Sequence, residues 1–186
     1  LVEANAFGAH AIGCDISAFN CLLCRVKTQE YSLAKLDLAL RGVLEQTPRT
    51  AEIVLPGEAS AWLKSWYSPL ALRELLAYEC VASQTLDEAG WDVARVILSR
   101  AARSARLTTH FDLDFPRAPT REPYWCHKHK RTCRPVQEAM KFLRRYTLDT
   151  FRRLREFASV RSEAGVDVVH ADARSVELPG EPTGII

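Results

Sequence analysis

The sequence has no long apolar run, no internal repeat and no low-complexity tract. No stretch approaches the roughly 20 apolar residues that a membrane-spanning helix needs, which argues against an integral membrane protein. The N-terminus lacks a basic segment followed by an apolar core, so we expect no signal peptide. With 186 residues, of which 47% are hydrophobic and 26% charged, the chain has the composition of one globular domain or of one domain with a sizeable insertion.

The chain also lacks the features of a secreted, disulfide-bonded protein. Its six cysteines lie mostly in apolar segments, which is typical of reduced, buried thiols, and we therefore expect a cytoplasmic protein. The sequence begins at Leu1 without a methionine and ends on apolar Gly184-Ile185-Ile186. We expect it to be an internal part of a longer protein.

Charge is unevenly distributed along the chain. The formal net charge is only +2, yet residues 95–106 contain four arginines and no acid. Residues 121–155 contain eleven Lys or Arg against three acids, so the remaining residues are strongly acidic. This separation is typical of a polyanion-binding surface on an acidic body.

The hydrophobic pattern predicts an α/β fold. Short buried strands are predicted at 10–17 and 166–172, and a third is predicted to start at 184–186. The two full strands are much farther apart than one crossover helix requires, so we expect a parallel sheet with a large helical insertion. The remaining predictions are a long loop at 107–133, a strand-like piece at 53–55, and helices at 1–8, 18–26, 31–46, about 60–67, about 69–82, about 88–106 and 135–160.

An acid stands at the end of each predicted strand, Asp15 after the first and Asp172 after the second. In an open parallel sheet, ligands bind beyond the carboxyl ends of the strands. One carboxylate there can accept both hydroxyls of a ribose, and its neighbour can accept from an adenine amino group. Such acids are more often helix caps, and Asp15 closely precedes Ser17, a suitable N-cap. The spacing alone leaves both interpretations open.

Two basic segments predict contact with nucleic acid. Arg100, Arg103 and Arg106 recur every three residues, close to one face of a helix, and they can neutralise phosphates. The alternative is a solvated face paired with acids elsewhere, although no acid lies between Asp92 and Asp112. In the second segment, Tyr124 and Trp125 are predicted either to stack on a base or to anchor the loop, and the candidate phosphate contacts are Lys128, Lys130, Arg131 and Arg134.

Cys126, His127, His129 and Cys133 have side chains that bind zinc. Their spacing argues against a metal site, because structural zinc sites normally use two separated ligand pairs. Four ligands so close together would also strain one tetrahedron. We therefore expect a basic loop with packed or incidental cysteines and no bound metal.

Longer segments resemble amino-methylating DNA methyltransferases. LVEANAFGAHAIGCDIS, residues 1–17, resembles the stretch after that family's glycine-rich cofactor loop. VVHADARSVELPGEPTGII, residues 168–186, resembles the stretch that runs into its Ser/Asp-Pro-Pro-Tyr motif. The intervening segments WLKSWYSPLALRELL, ILSRAARSARLTTHFDLD and YWCHKHKRTCRPVQEAMKFLRRYTLDTFRRLREF are similar to bacterial and archaeal members.

The resemblance implies an incomplete Rossmann-like methyltransferase core. It implies an enzyme that uses S-adenosyl-L-methionine to methylate the exocyclic amino group of adenine or cytosine in double-stranded DNA. Asp15 matches the family acid that holds the cofactor ribose, and Ile16 matches the apolar neighbour of the adenine. Asp172 and Ala173 match the position that meets the adenine. The glycine-rich loop is expected before Leu1 and the catalytic motif after Ile186, so no catalytic residue is assigned.

The resemblance also implies a division into three segments. Residues 1–47 are the N-terminal part of the cofactor-binding core, 48–133 are a helical insertion and basic loop for target recognition, and 134–186 are the long helix and the return to the core. The enzyme is either solitary or has a cognate restriction endonuclease as its partner. The alternatives are an RNA guanine amino-methyltransferase with the same core and a non-catalytic DNA-binding or zinc-loop module.

Overall fold

The computed structural model describes residues 1–50, 58–110, 116–177 and 184, and within them the chain is a mixture of helices and strands. The α/β class is therefore confirmed. The predicted strand-like piece at 53–55 and residues 185–186 of the predicted third strand lie outside the described residues. None of the described helices is long and apolar enough to cross a membrane. The elements are α1 (Val2–Ala6), β1 (Ala11–Asp15), α2 (Ala18–Thr28), α3 (Leu33–Gln46), a 3₁₀ turn (Thr47–Arg49), α4 (Glu58–Trp66), α5 (Pro69–Thr85), α6 (Glu88–Ala105), β2 (Tyr124–Cys126), β3 (Arg131–Cys133), α7 (Met140–Ala158) and β4 (Val166–His170).

The chain forms two compact units. Unit 1 comprises residues 1–31 and 152–186, and unit 2 comprises residues 32–151. The first boundary lies before α3, since α3 packs against α5 and α6 of unit 2. The functional division at 47/48 and 133/134 that the sequence predicts stays a prediction.

Unit 1 contains a parallel pair of strands. β1 pairs with β4 from Ala11 opposite Val166 to Asp15 opposite His170, and α2 packs against both strands. The prediction of two buried strands is wrong, because their side chains are half-buried or exposed. Full burial of a parallel strand requires cover on both faces of the sheet. The larger Rossmann-like sheet stays a prediction.

Helix α1 ends where the sequence predicts. Gly8 has φ +77°, a backbone conformation that suits glycine. The N–H of Gly8 donates to the carbonyl of Asn5 and that of Ala9 donates to Ala4, which closes the last turn of the helix. The buried Asn5 side chain donates to the carbonyl of Ala164 at 2.7 Å. The N-terminal helix is thereby fixed to the segment that leads into β4.

Unit 2 is a helical body in which α3, α5 and α6 pack together. The predicted start of α5 is confirmed, since the Ser68 hydroxyl accepts from the N–H of Ala71 and Pro69 is the first helical residue. Helix α6 ends at Ala105, so Arg106 follows the helix with an extended backbone. The larger core side chains of these helices are Leu36, Leu40, Val43, Leu72, Leu75, Tyr78, Val93 and Ile97.

Helix α7 begins later than the sequence predicts. The expected start at Pro135 is wrong, because the first helical residue is Met140. A carboxylate oxygen of Glu74 accepts from the N–H groups of Ala139 and Met140, at 2.5 and 2.9 Å. These N–H groups have no partner within the helix, so the acid on α5 acts as the cap of α7.

The predicted loop at 107–133 ends in a β-hairpin. Tyr124 pairs with Cys133, Trp125 with Thr132 and Cys126 with Arg131 in antiparallel register. The four-residue turn between the strands ends at Lys130, whose φ is +50°. Each strand has only three residues, which is too short to show an alternating pattern in the sequence.

Candidate functional site

The structure brings Asp15 and Asp172 to the same edge of the parallel strand pair in unit 1. Asp15 is the last residue of β1 and lies opposite His170, the last residue of β4. The N–H of Ala171 donates to the Asp15 carbonyl at 3.2 Å, and Asp172 follows directly. Both acids therefore lie where parallel strands end, which is the edge at which open sheets bind ligands.

Asp15 also contributes to the start of α2. Its Oδ1 accepts from the Ser17 N–H at 2.7 Å and its Oδ2 accepts from the Asn20 side chain at 2.9 Å. The bond from Ser17, followed by the one from Asn20, lowers the pKa of Asp15, so the carboxylate is ionised at neutral pH. An ionised carboxylate has about four acceptor positions, and two of them are used here. Asp15 can therefore cap α2 and still accept hydrogen bonds from the hydroxyls of a ribose.

Asp172 forms a bidentate ion pair with Arg174. The guanidinium donates to Oδ1 at 3.0 Å and to Oδ2 at 2.6 Å. This side-chain bond is the main reason that the pKa of Asp172 lies below its usual value. Ile16 is 72% exposed and Ala173 is also exposed. Two carboxylates and two exposed apolar side chains therefore lie together at this edge of the strand pair.

The three arginines at 100, 103 and 106 do not form one helical face. Arg100 donates to Asp149 at 2.6 Å and to Thr150 at 2.9 Å, and its guanidinium lies 4.3 Å from the centre of the Tyr146 ring. Arg103 is exposed near the end of α6, whereas Arg106 lies beyond it and donates to the Arg103 carbonyl. The sequence has no acid close to Arg100, but the fold brings Asp149 of α7 to it, so this arginine is paired with an acid that is distant in the chain.

The second basic segment is concentrated on the hairpin and the residue after it. We call Lys128, Lys130, Arg131 and Arg134 the hairpin cations, and all four are exposed. Trp125 is 56% exposed and points to the hairpin face opposite Cys126. Tyr124 anchors the hairpin, since its hydroxyl accepts from the His110 N–H at 3.0 Å.

Four side chains with metal-binding atoms converge at the hairpin, two of them buried, one half-buried and one, His129, exposed. They are His110, Cys126, His129 and Cys133, and their ligand atoms all lie within 4.8 Å of one another. The group contains His110 and leaves out His127, one of the four residues that the sequence places close together and for which we expected no metal. Burial, followed by the nearby positive charges, lowers the pKa of His110. His110 lies 16 residues before Cys126, so no local motif in the sequence links it to the cysteines.

Comparison with known proteins gives one informative relationship. The chain is 30% identical to the type II methyltransferase M.MjaII of Methanocaldococcus jannaschii, over an alignment of 247 positions that covers 97% of the chain and 47% of that relative. It thus spans about half the length of the curated relative that it matches. No protein-family model and no solved structure matches the chain. The similarity extends over nearly the whole of this sequence, and it supports the relationship to DNA methyltransferases that the segments 1–17 and 168–186 suggest.

Proposed function

We propose that this protein transfers a methyl group from S-adenosyl-L-methionine to the exocyclic amino group of adenine or cytosine in double-stranded DNA. The observation that carries the proposal is the 30% identity to a type II methyltransferase across 97% of the chain. That relative is named a type II methyltransferase, which favours a role for this protein in a restriction–modification system. We propose that it acts in the cytoplasm together with a cognate endonuclease. This chain contributes part of the cofactor site and part of the DNA-binding surface.

The residues at the carboxyl edge of the parallel strands fit the adenosine end of the cofactor. Asp15 retains acceptor positions for the ribose hydroxyls, and its lowered pKa keeps it a carboxylate at neutral pH. Asp172 accepts from the adenine amino group in exchange for part of its pairing with Arg174, while Ile16 and Ala173 pack against the adenine ring. S-adenosyl-L-methionine supplies an electrophilic methyl group when it is bound. The residues of this chain hold and orient it, and we assign none of them a catalytic role.

The hairpin cations and Arg103 are proposed to contact the phosphate backbone of DNA. Exposed Lys and Arg side chains release counterions when they neutralise phosphates, which contributes affinity without sequence preference. The partly exposed Arg100 is already paired with Asp149, so its predicted phosphate contact would have to compete with an ion pair. We therefore place the main phosphate contact on the hairpin.

The test uses the protein translated from the complete reading frame that contains this sequence. It is incubated with S-adenosyl-L-methionine carrying a radiolabelled methyl group and with duplex DNA or RNA. Digestion to nucleosides then identifies the methylated base. We expect label in N6-methyladenine or N4-methylcytosine from DNA. Label in guanine of RNA, or DNA binding with no transfer to any base, would contradict the proposal in favour of one of the two alternatives.

A further inference from the structure

We propose that His110, Cys126, His129 and Cys133 bind one structural Zn²⁺ ion. The cluster lies wholly within unit 2, and all four ligand atoms lie within 4.8 Å of one another. Two buried thiols and two imidazoles are a ligand set that zinc takes in closed, four-coordinate structural sites. This inference is independent of methyl transfer, because it concerns the stability of the hairpin.

The fold itself brings the four ligands together. Cys126 lies opposite Arg131, and Cys133 lies opposite Tyr124 in the hairpin register. Cys126 and Cys133 are therefore diagonal neighbours on the same face, because side chains alternate along a strand. Their exposures are 0% and 7%, so the hairpin turns both thiols away from solvent.

The two histidines approach these thiols from different directions. His129 lies in the turn between the strands, and its Nδ1 is 3.5 Å from the Sγ atoms of both Cys126 and Cys133. His110 comes from the segment after α6, and its Nδ1 is 3.5 Å from the Sγ of Cys126. The Tyr124 hydroxyl, which accepts from the His110 N–H, holds that segment against the hairpin. Because His110 comes from a separate segment, the four ligands can surround one ion without the strain expected of four ligands within eight residues.

Three of the six distances among the ligand atoms agree with tetrahedral zinc, and the widest separation in the group, up to 4.8 Å, would close when the ion binds. Bonds of about 2.3 Å to sulfur and about 2.0–2.1 Å to nitrogen, at a tetrahedral angle, separate S and N by about 3.5 Å. Each of the three sulfur–nitrogen distances given above is 3.5 Å. A disulfide between Cys126 and Cys133 would need neither imidazole, and all six cysteines of the chain are free thiols.

The charges and the ligand chemistry suit zinc and exclude the hard cations. Two thiolates neutralise a divalent ion, so the site adds no net charge beside Lys128, Lys130 and Arg131. Soft thiolates do not suit Mg²⁺ or Ca²⁺, which prefer oxygen ligands. The four ligands leave no open coordination position, so the ion is structural rather than catalytic.

The hairpin provides a physical reason for a bound ion. Each of its strands has only three residues, and two-stranded hairpins are marginal in water even when longer. A metal ion that links the turn, both strands and the segment after α6 supplies binding free energy that becomes folding free energy. It would also fix the positions of the exposed Lys128 and Lys130 in the turn.

The decisive measurement is metal content. The protein is expressed without a polyhistidine tag, purified in reducing buffer and measured by mass spectrometry of the elements. We expect one zinc per chain in the wild type and background levels in Cys133→Ser and His110→Ala. His127→Ala and Cys80→Ser are the matched controls, since each removes a metal-binding side chain that lies outside the cluster, and both should retain the zinc.

Cobalt substitution keeps the test meaningful if a ligand variant fails to fold. Co²⁺ in the wild type should give the absorption of a tetrahedral ion with sulfur-to-metal charge transfer. His129→Cys retains four ligands and should retain the metal, while its added thiolate intensifies the charge-transfer band. Loss of a residue that only supports a metal ligand weakens metal binding by up to about 100-fold. Loss of a ligand itself should cost more, so we expect Cys133→Ser to weaken cobalt binding by more than about 100-fold.

Three results would overturn the inference. The first is folded wild-type protein with no stoichiometric zinc and no tetrahedral cobalt spectrum. The second is a Cys126–Cys133 disulfide, detected by peptide mass spectrometry of protein isolated without reductant. The third is zinc that is lost in His127→Ala and retained in His110→Ala, which would mean that a different ligand set holds the ion. None of these results depends on methyltransferase activity, so failure here leaves the proposed function intact.

Discussion

At the residue scale, Asp15 has a structural role at the start of α2 that must be separated from its proposed role in cofactor binding. Its carboxylate accepts from the Ser17 N–H and from Asn20, so substitution also removes contacts at the start of α2. Ser17 is the matched control, because its hydroxyl accepts from the Asn20 N–H as the N-cap of the same helix. Loss of such a cap costs about 0.5–2 kcal/mol of stability.

We expect Asp15→Ala to weaken S-adenosyl-L-methionine binding by about tenfold to 100-fold. A charge-assisted hydrogen bond is worth about 1.5–3 kcal/mol, and each 1.4 kcal/mol is a factor of about ten in affinity. Asp172→Ala should act in the same direction, whereas Ser17→Ala should leave affinity unchanged. Calorimetric titration of folded protein from the complete reading frame measures all three. Equal affinity in wild type and Asp15→Ala would leave Asp15 with its capping role alone.

Tyr78 provides a second residue-scale prediction. Its side chain is fully buried, and burial raises its pKa above the ordinary value, an effect that the nearby Thr147 side chain opposes. Its hydroxyl nevertheless makes no hydrogen bond of ordinary geometry among the described residues. Tyr78→Phe removes the unpaired hydroxyl and keeps the ring, so it should leave the free energy of unfolding unchanged or raise it by about 1 kcal/mol. Urea denaturation measures the change. A decrease of more than about 1 kcal/mol would mean that the hydroxyl makes a bond.

At the element scale, the local signals in the sequence predict some helix ends and miss others for a physical reason. Gly8, Ser17 and Ser68-Pro69 act on their own helices, so their patterns can be recognised along the chain. The start of α7 depends on Glu74, which lies 65 residues before Ala139, and no local pattern records that contact. His110 was missed in the same way, since only the tertiary fold brings it to the hairpin.

Glu74 therefore makes a testable contribution to α7. We expect Glu74→Ala to lower the free energy of unfolding by about 2–3 kcal/mol, because two N–H groups lose a charged acceptor. Glu74→Gln retains an acceptor oxygen and should cost less. Glu79→Ala, at an exposed position of the same helix, is the control and should change stability by less than about 0.5 kcal/mol. Chemical denaturation measures the three variants, and equal stability of Glu74→Ala and Glu79→Ala would contradict the capping role.

The hairpin cations make the DNA interaction testable at the same scale. Replacing Lys128, Lys130 and Arg131 with Ala should weaken DNA binding for all sequences and flatten the salt dependence by about three counterions. The matched control replaces three scattered exposed cations, Lys27, Lys64 and Arg73, and changes the net charge equally. Fluorescence anisotropy at several salt concentrations measures the slope. The same slope for both triple variants would show that net charge, and not the hairpin, determines the affinity.

At the scale of the whole molecule, the two units differ in how the chain builds them. Unit 2 is one continuous segment, residues 32–151, whereas unit 1 combines residues 1–31 with residues 152–186. The sequence predicts this outline, since it places a large helical insertion between two strands. It does not predict the boundary before α3, because an amphipathic helix does not reveal which unit its apolar face contacts.

Removal of residues 160–186 should affect the two units differently. The shortened chain loses β4, the partner of β1, and loses the carbonyl of Ala164 that binds the buried Asn5 side chain. We expect hydrogen exchange to become faster for amides of residues 2–28 and to stay slow for amides of α5 and α6. Mass spectrometry of exchanged peptides measures both regions. Loss of protection in both would show that the units do not fold separately.

The pairing of β1 with β4 has a consequence for protein synthesis. The residues that enter the pair are far apart in the chain, as His10 and Gly165 are separated by 155 positions. At the usual rate of about 5–20 residues per second, a ribosome needs roughly 8–30 seconds to deliver β4 after β1 has emerged. During that time the edge of β1 that faces β4 in the finished protein remains unpaired, and such edges promote aggregation. The nascent chain is therefore vulnerable at β1 during this interval, and slower translation should lengthen that exposure.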